Sequence, residues 1–264
     1  MRVLDIDLDI FVTPINGIHS NSRLLDDDHS LMLPNEIDNF LLNKCGLSSA
    51  SPKPGAVFEE HDQMFDAIRE LVESNRLVAP FELFHVDAHA DLGAGQVTPF
   101  EYLLTELMHQ PITERTKPQR GNGGLNRGTV LMFVAACEWI SKLVYVHHPD
   151  DGNDLPTILL DCDEEGEQLY LRMPSCSASV FQKAWKTFST PPNAKAFWDH
   201  LEEVCHFDKR ILFERTSIQM CGELPNFDFV FLTRSPGFTP PKADAVFERM
   251  QSLIRPYGES CDRI

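Results

Sequence analysis

The sequence predicts an α/β protein, with a mostly parallel sheet sandwiched by helices. Short apolar runs rich in Val, Ile and Phe alternate with helix-period segments on both sides of a less regular stretch, the pattern of strands joined by covering helices. Apolar residues make up 42% of the 264-residue chain, enough for a sizeable core, and the length suits one large domain, 1–264. Residues 150–225 differ in texture and read as a substrate-facing insertion.

Residues 2–12 alternate tightly and read as a strand. Residues 13–57 are rich in Asn, Ser, Asp and Pro, with a short helix at 35–44. "VFEEHDQMFDAIRELVESN" reads as a strand end followed by a helix from about His61 to Asn75. Met64, Ile68, Leu71 and Val72 supply its apolar stripe. "FELFHVDAHADLG" is the next strand. "TPFEYLLTELMHQ" is a helix with Thr98 as N-cap and Pro99 at the first helical position. "NRGTVLMFVAACEWI" is a buried helix with Asn126 near its cap, and "KLVYVHHP" is a strand. "TILLDCDEEGEQLYLRM" reads as a β-hairpin turning at Glu164–Gly166, with amphipathic helices near 178–189 and 194–206. "DFVFLTRSPGFTPP" is a last strand and loop, and Ala243–Ile254 a closing helix.

Forty acidic residues against 23 basic ones give a net charge of -17. That balance argues against nucleic acid or an anionic membrane as partner and suits a cationic substrate or carboxylates gathered on metal ions. Seven cysteines form no CxxC, so neither a zinc ribbon nor a disulfide framework is expected. Three aspartates in "MRVLDIDLDIFV" rule out a signal-peptide reading of the N-terminus. No apolar stretch approaches the roughly 18 residues of a membrane span. A cytoplasmic protein with reduced thiols is expected.

The chemistry gathers in two rows. Side chains at i, i+2 and i+4 of a strand share a face, which puts Asp87, His89 and Asp91 together, and likewise Asp5, Asp7 and Asp9, provided the backbone stays extended. Such rows are costly as bare buried ions. Mixed carboxylate and imidazole ligands suit Mn²⁺ or another first-row divalent ion, and so many carboxylates suit two ions sharing a bridging ligand. Other motifs fail. A DxDx[TV] phosphatase pattern is broken by Asp9 or Phe11, "GNGGLNRG" lacks the Walker lysine, and GxSxG is absent.

"VDAHAD" resembles the DAHxD signature of the ureohydrolase (arginase and agmatinase) superfamily, and "LDIDLDIF" resembles its SxDxDxxDP signature. Aligned on the serine, the ligand aspartates fall on Asp7 and Asp9. Aligned on D-I-D they fall on Asp5 and Asp7. The first alignment is preferred. The superfamily's upstream histidine begins a helix, which selects His61 over His29. The resemblance implies one metal on His61, Asp87, Asp91 and Asp7 and a second on His89, Asp87, Asp7 and Asp9. With "FEEH", "KLVYVHHP" and "TRSPGFTP", the chain is most similar to divergent peptide arginases, which convert arginine to ornithine within ribosomally made precursor peptides. The resemblance implies two Mn²⁺, a cytoplasmic hydrolase releasing urea, and an arginine-containing precursor peptide as partner. It also implies a rearranged strand order, because "DIDLD" comes first. Two departures leave roles open. Arg127 stands where arginases have a shuttle histidine, and Thr233 near where they have a guanidinium-binding glutamate. Glu59 and Glu60 are then candidate anchors, His85, His147 and His148 candidate shuttles, and Asp91 a candidate proton acceptor. The alternatives are a free-arginine or agmatine-type ureohydrolase, a deacetylase-like amide hydrolase, and a non-catalytic metal-binding module.

Overall fold

In the computed structural model, residues 1–17, 22–150, 154–189 and 193–258 are described. The strands in chain order are β1 (Arg2–Asp7), β2 (Val12–Thr13), β3 (Ser30–Leu31), β4 (Lys53–Phe58), β5 (Phe81–Asp87), β6 (Ile140–His147), β7 (Leu160–Cys162), β8 (Leu169–Ser175), β9 (His206–Ser217), β10 (Phe229–Thr233) and β11 (Ile254–Pro256). The helices are α1 (Pro34–Asp38), α2 (Gln63–Glu73), α3 (Val97–Thr105), α4 (Ile112–Arg115), α5 (Val130–Ala136), α6 (Ala178–Phe188), α7 (Ala194–Val204) and α8 (Asp244–Gln251). The protein is α/β, with a large, mostly parallel sheet flanked by helices. No helix among the described residues is long and apolar enough to cross a membrane.

The chain divides into two compact units. One comprises residues 1–89, 143–152 and 215–264, the other 90–142 and 153–214. The 150–225 stretch is therefore shared between them.

In the first unit the strand order is β11-β4-β10-β1-β5-β6. The chain's first strand lies at the centre, parallel to β10 on one side and to β5 on the other. The alternation of β1 explains that place. Leu4 and Ile6 join a core with Phe84 and Val86 of β5 and Val230 and Leu232 of β10, closed by Phe247 and Met250 of α8. Each of these side chains contributes on the order of 1.5–3 kcal/mol by leaving water. The opposite parity carries Asp5 and Asp7 on β1, His85 and Asp87 on β5, and Thr233 on β10. Asp5 pairs with His85 in register, and Asp7 with Thr233. At Gly55 an added Cβ would stand 1.8 Å from the Val230 carbonyl oxygen. Glycine is what lets β4 lie against β10 there.

Two strands are shorter than their patterns predict. β1 stops at Asp7 because the Asp7 carboxylate accepts the Asp9 N–H at 3.3 Å, and a 3₁₀ turn, Leu8–Phe11, follows. β5 stops at Asp87 because its carboxylate accepts the His89 N–H at 2.8 Å. These are side-chain caps competing with the ladder. The extended ligand rows therefore end at Asp7 and Asp87, and Asp9 and His89 are carried on turns. The expected helix over 35–44 is α1 continued by a wider π turn, Asn39–Lys44.

In the second unit, β7, β8 and β9 run antiparallel. The expected hairpin is present, with Gly166 in the left-handed region at φ +73°. Both expected amphipathic helices form. Ser177 caps α6 and Asn193 caps α7, each through its side-chain oxygen. Phe197 of α7 meets Phe181 and Trp185 of α6 edge-on at 5.5 Å. Every residue of α5 is buried. Two cap assignments are corrected. α3 starts at Val97, so Pro99 is its third residue, still within the first turn, where a missing N–H removes no helical bond. α5 is capped at Thr129, while the Asn126 side chain ties its loop by donating to Gln96 Oε1 at 2.9 Å and accepting from the Gly128 N–H at 3.0 Å.

Candidate metal centre

The buried polar residues of the first unit converge at the carboxyl ends of β1 and β5 and on the turn before α2. Asp5, Asp7, Asp9, His61, His85 and Asp87 are all buried, and the side chain of His89 is 21% exposed. In open parallel sheets this edge is where ligands bind.

His61 is presented by a turn that α2 itself holds. The Gln63 side-chain oxygen accepts the backbone N–H groups of Glu59 and Glu60, both at 3.0 Å. The His61 ring donates from Nε2 to Asp5 Oδ2 at 2.8 Å, which directs Nδ1 toward Asp87 Oδ2 at 3.2 Å and Asp7 Oδ2 at 3.5 Å. His89 is built on the same plan. Its Nε2 donates to the Asn16 carbonyl at 3.1 Å, its Nδ1 faces Asp9 Oδ2 at 2.9 Å, and Phe238 covers the ring at 4.9 Å between centroids. A carboxylate or carbonyl behind the far nitrogen is how a metal-binding imidazole is held in one tautomer.

The carboxylates show a matching division. Asp7 Oδ1 accepts the Asp9 N–H, Asp87 Oδ1 the His89 N–H, and Asp9 Oδ1 the Ala88 N–H. Oδ2 of Asp7 and of Asp87 turns to His61 and Oδ2 of Asp9 to His89, while Asp87 Oδ1 also lies 3.8 Å from His89 Nδ1. Ser235 donates its hydroxyl to Asp7 Oδ2 from a residue in the left-handed region, φ +47°.

The electrostatics are those of a crowded site. Burial, then the charges of Asp9 and Asp87, holds the Asp7 carboxyl well above its ordinary range. Burial and Asp87 push Asp9 up to about 7. Asp87 moves the other way, because hydrogen bonds from His61 and His89 outweigh its burial. Hydrogen bonds to Asp87 and Asp9 outweigh burial for His89 and raise it to about 12. Three carboxylates this close cannot all ionise cheaply, since each unpaired buried ion costs several kcal/mol. A cation resolves the conflict.

Within this unit three groups offer nitrogen and oxygen atoms within 4.8 Å of one another: Asp7, His61 and Asp87; Asp9, Asp87 and His89; and Asp5, His61 and His85. These buried clusters could hold a metal ion. No thiolate takes part, so the donor set suits first-row divalent ions. Asp5 Oδ1 is also buried without a hydrogen-bond partner, although Oδ2 of the same carboxylate accepts from both His61 and His85.

No family model, curated protein or solved structure matches this chain.

Other expected site residues fall as follows. His85, a candidate shuttle, is fully buried. Nδ1 donates to Asp5 Oδ2 at 2.8 Å and Nε2 to the His89 carbonyl at 2.9 Å, so both nitrogens are engaged by protein. It holds Asp5 and stacks between His61 and Tyr145, with centroids at 5.3 and 5.5 Å. Glu59 is exposed and ion-paired with Arg234 at 3.5 Å, so its carboxylate already has a guanidinium. Glu60 is half-buried on the same turn. Thr233 is fully buried at the end of β10, in register with Asp7. His147 bonds the His148 carbonyl at 2.8 Å. His148 is buried, with Nε2 3.0 Å from the Thr13 hydroxyl. His29 lies apart, bonded to the Leu25 carbonyl. Asp91 and Arg127 belong to the second unit. Asp91 is buried with φ +49°, and its carbonyl accepts the Leu131 N–H at the start of α5, so it leaves the extended row its spacing predicts. Arg127 is half-buried in the loop before α5.

Asn16 and Ser235 are the contributors that motif reading misses, whereas Asp5 and His85 were named and share the parity of Asp7 and Asp87. Asn16 contributes only its backbone, and Ser235 arrives from 228 residues away.

Proposed function

We propose that this chain is an arginase-like, metal-dependent hydrolase of guanidino groups, acting on arginine residues of a ribosomally made precursor peptide to leave ornithine and release urea. One observation carries the reading: two imidazoles, His61 and His89, each fixed from behind, aim Nδ1 at the inward oxygens of Asp7, Asp9 and Asp87. One ion would sit on Asp7, His61 and Asp87 and a second on Asp9, Asp87 and His89, with Asp87 shared. The resemblance adds Asp91, two residues past His89, as a ligand and proton acceptor.

Two Mn²⁺ ions bound there would supply a water acidic enough to serve as hydroxide near neutral pH. The protein's own part is positioning. Asp5 and Asn16 hold the two imidazoles in the ligating tautomer. Backbone N–H groups hold one oxygen of each aspartate, so the other enters the cluster without side-chain searching. Ser235 keeps Asp7 in place. The fully buried β1 floor excludes bulk water beneath the carboxylates, which strengthens each of these contacts. The net charge of -17 favours approach of a cationic arginine side chain, with a rate that falls with salt.

Urea release from an arginine-containing peptide and from free arginine, each with and without added Mn²⁺, tests the reading. Urea from the peptide, dependent on Mn²⁺, is expected. No urea from either substrate, with metal bound, overturns the hydrolase reading. Urea from free arginine alone overturns its peptide part.

A further inference from the structure

The second unit carries a feature that the proposed chemistry does not use. β8 and β9 pair antiparallel, with Pro174 opposite Phe207 and Ser175 opposite His206. The ladder ends there, and continuing its register by one step sets Cys176 opposite Cys205. Cys205 follows α7 in extended conformation, φ -74° and ψ 148°. The backbone of Cys176 is pinned on both sides: its N–H donates to the Leu104 carbonyl at 3.1 Å, and its own carbonyl accepts from His109 Nε2 at 3.0 Å. The two side chains interact electrostatically, each shifting the other's thiol. Cys176 is buried and Cys205 half-buried, which leaves one sulfur of the pair open to a small reagent.

Opposed residues of an antiparallel pair have Cα atoms about 4.5 or 5.5 Å apart, both within the range a disulfide spans without backbone movement. The remaining described cysteines differ. Cys45, Cys137 and Cys221 are buried, and Cys162 is exposed on the short β7. Cys205 is the more exposed of the two, and access decides which thiol meets a reagent first.

We infer that Cys176 and Cys205 form a site of oxidative modification, closing a disulfide between β8 and β9 by exchange with a small-molecule disulfide. The Cys205 thiol loses its proton, and its thiolate attacks one sulfur of the reagent, breaks its S–S bond and expels one small thiolate. The Cys176 thiol then loses its proton and attacks the Cys205 sulfur, forming the protein disulfide and expelling the second small thiolate. Two protein thiols are oxidised and one reagent disulfide is reduced to two thiols. The bond ties the start of α6 to the end of α7 and encloses the whole helical pair. This inference is independent of the hydrolase reading and is tested without activity.

The test treats the full-length protein with oxidised glutathione, alkylates remaining thiols with N-ethylmaleimide under denaturing conditions, and reads intact mass and a non-reducing digest. Loss of two of the seven alkylation adducts is expected, together with a linked peptide joining Cys176 to Cys205. In Cys176→Ser that double loss should vanish and a single glutathione adduct remain on Cys205, whereas in Cys205→Ser the buried Cys176 should stay available for alkylation. Two outcomes overturn the inference: both residues stay fully alkylated while Cys162 takes glutathione, or the linked peptide joins other cysteines.

Discussion

The two units handle acidic residues in opposite ways. On the β7–β9 ladder of the second unit, Asp161 meets Arg210 at 2.5 Å and Glu202 meets Arg172 at 2.5 Å, with the charges at least partly in water. Such pairs are close to neutral for stability. At the ends of β1 and β5, Asp7, Asp9 and Asp87 are buried against one another, with imidazoles as their near partners and no lysine or arginine paired with them among the described residues. The second arrangement is tolerable only if something cationic joins it. Acidity alone marks neither region, whereas the identity of the partner does.

The largest test of that contrast is Asp87→Asn. It keeps an acceptor for the His89 N–H but removes the charge shared by both proposed ion sites. Mn²⁺ affinity measured by calorimetry should fall by more than about 100-fold, and urea release should disappear with it. Retained affinity would refute the bridging role. Asp5→Asn comes next. It leaves the inward oxygens untouched and weakens the acceptor that His61 and His85 share, so a loss of about 10–100-fold in Mn²⁺ affinity is expected, with an unchanged fold by circular dichroism.

The third test uses pH. Asp7 and Asp9 have folded-state values raised above their unfolded ones, Asp9 to about 7. A raised carboxyl binds more protons folded than unfolded, so the metal-free protein loses stability as pH climbs from about 4 to about 7, and the full cost stands above that window. Bound ion replaces those protons. The rise in Tm on adding Mn²⁺ should therefore be larger at pH 8 than at pH 5.5 in thermal scans, and a rise equal at both would break the comparison. The smallest effect is expected from Arg210→Ala. An exposed pair is worth about 0.2–1 kcal/mol, so Tm should move by only a few degrees and the Mn²⁺ response should not change.

Much of this was legible in the chain. Alternation marked β1 and β5, helical spacing marked α2, and the hairpin and both amphipathic helices of the second unit appear where their patterns put them. Asp7, Asp9, His61, Asp87 and His89 come together in one unit. Strand periodicity failed at Asp9, His89 and Asp91, because it reports which face a side chain takes and not where the backbone stops being a strand. The stop is decided by an aspartate capping its own turn, a two-residue effect that also satisfies an alternating pattern. For His85, parity gave the right face but could not show that its nitrogens meet Asp5 and the His89 carbonyl. Ser235 had no local signature, since its contact depends on β10 lying beside β1.

The split use of each carboxylate makes these positions intolerant of an apparently mild exchange. One oxygen of Asp7, Asp9 or Asp87 is anchored to the main chain while the other points inward. Glutamate has the same charge and chemistry but one more methylene, and a side chain of that length cannot keep both appointments at once. In this hook of backbone, the short acid is a spacer as much as a charge, and side-chain length should be as closely guarded here as ionic character.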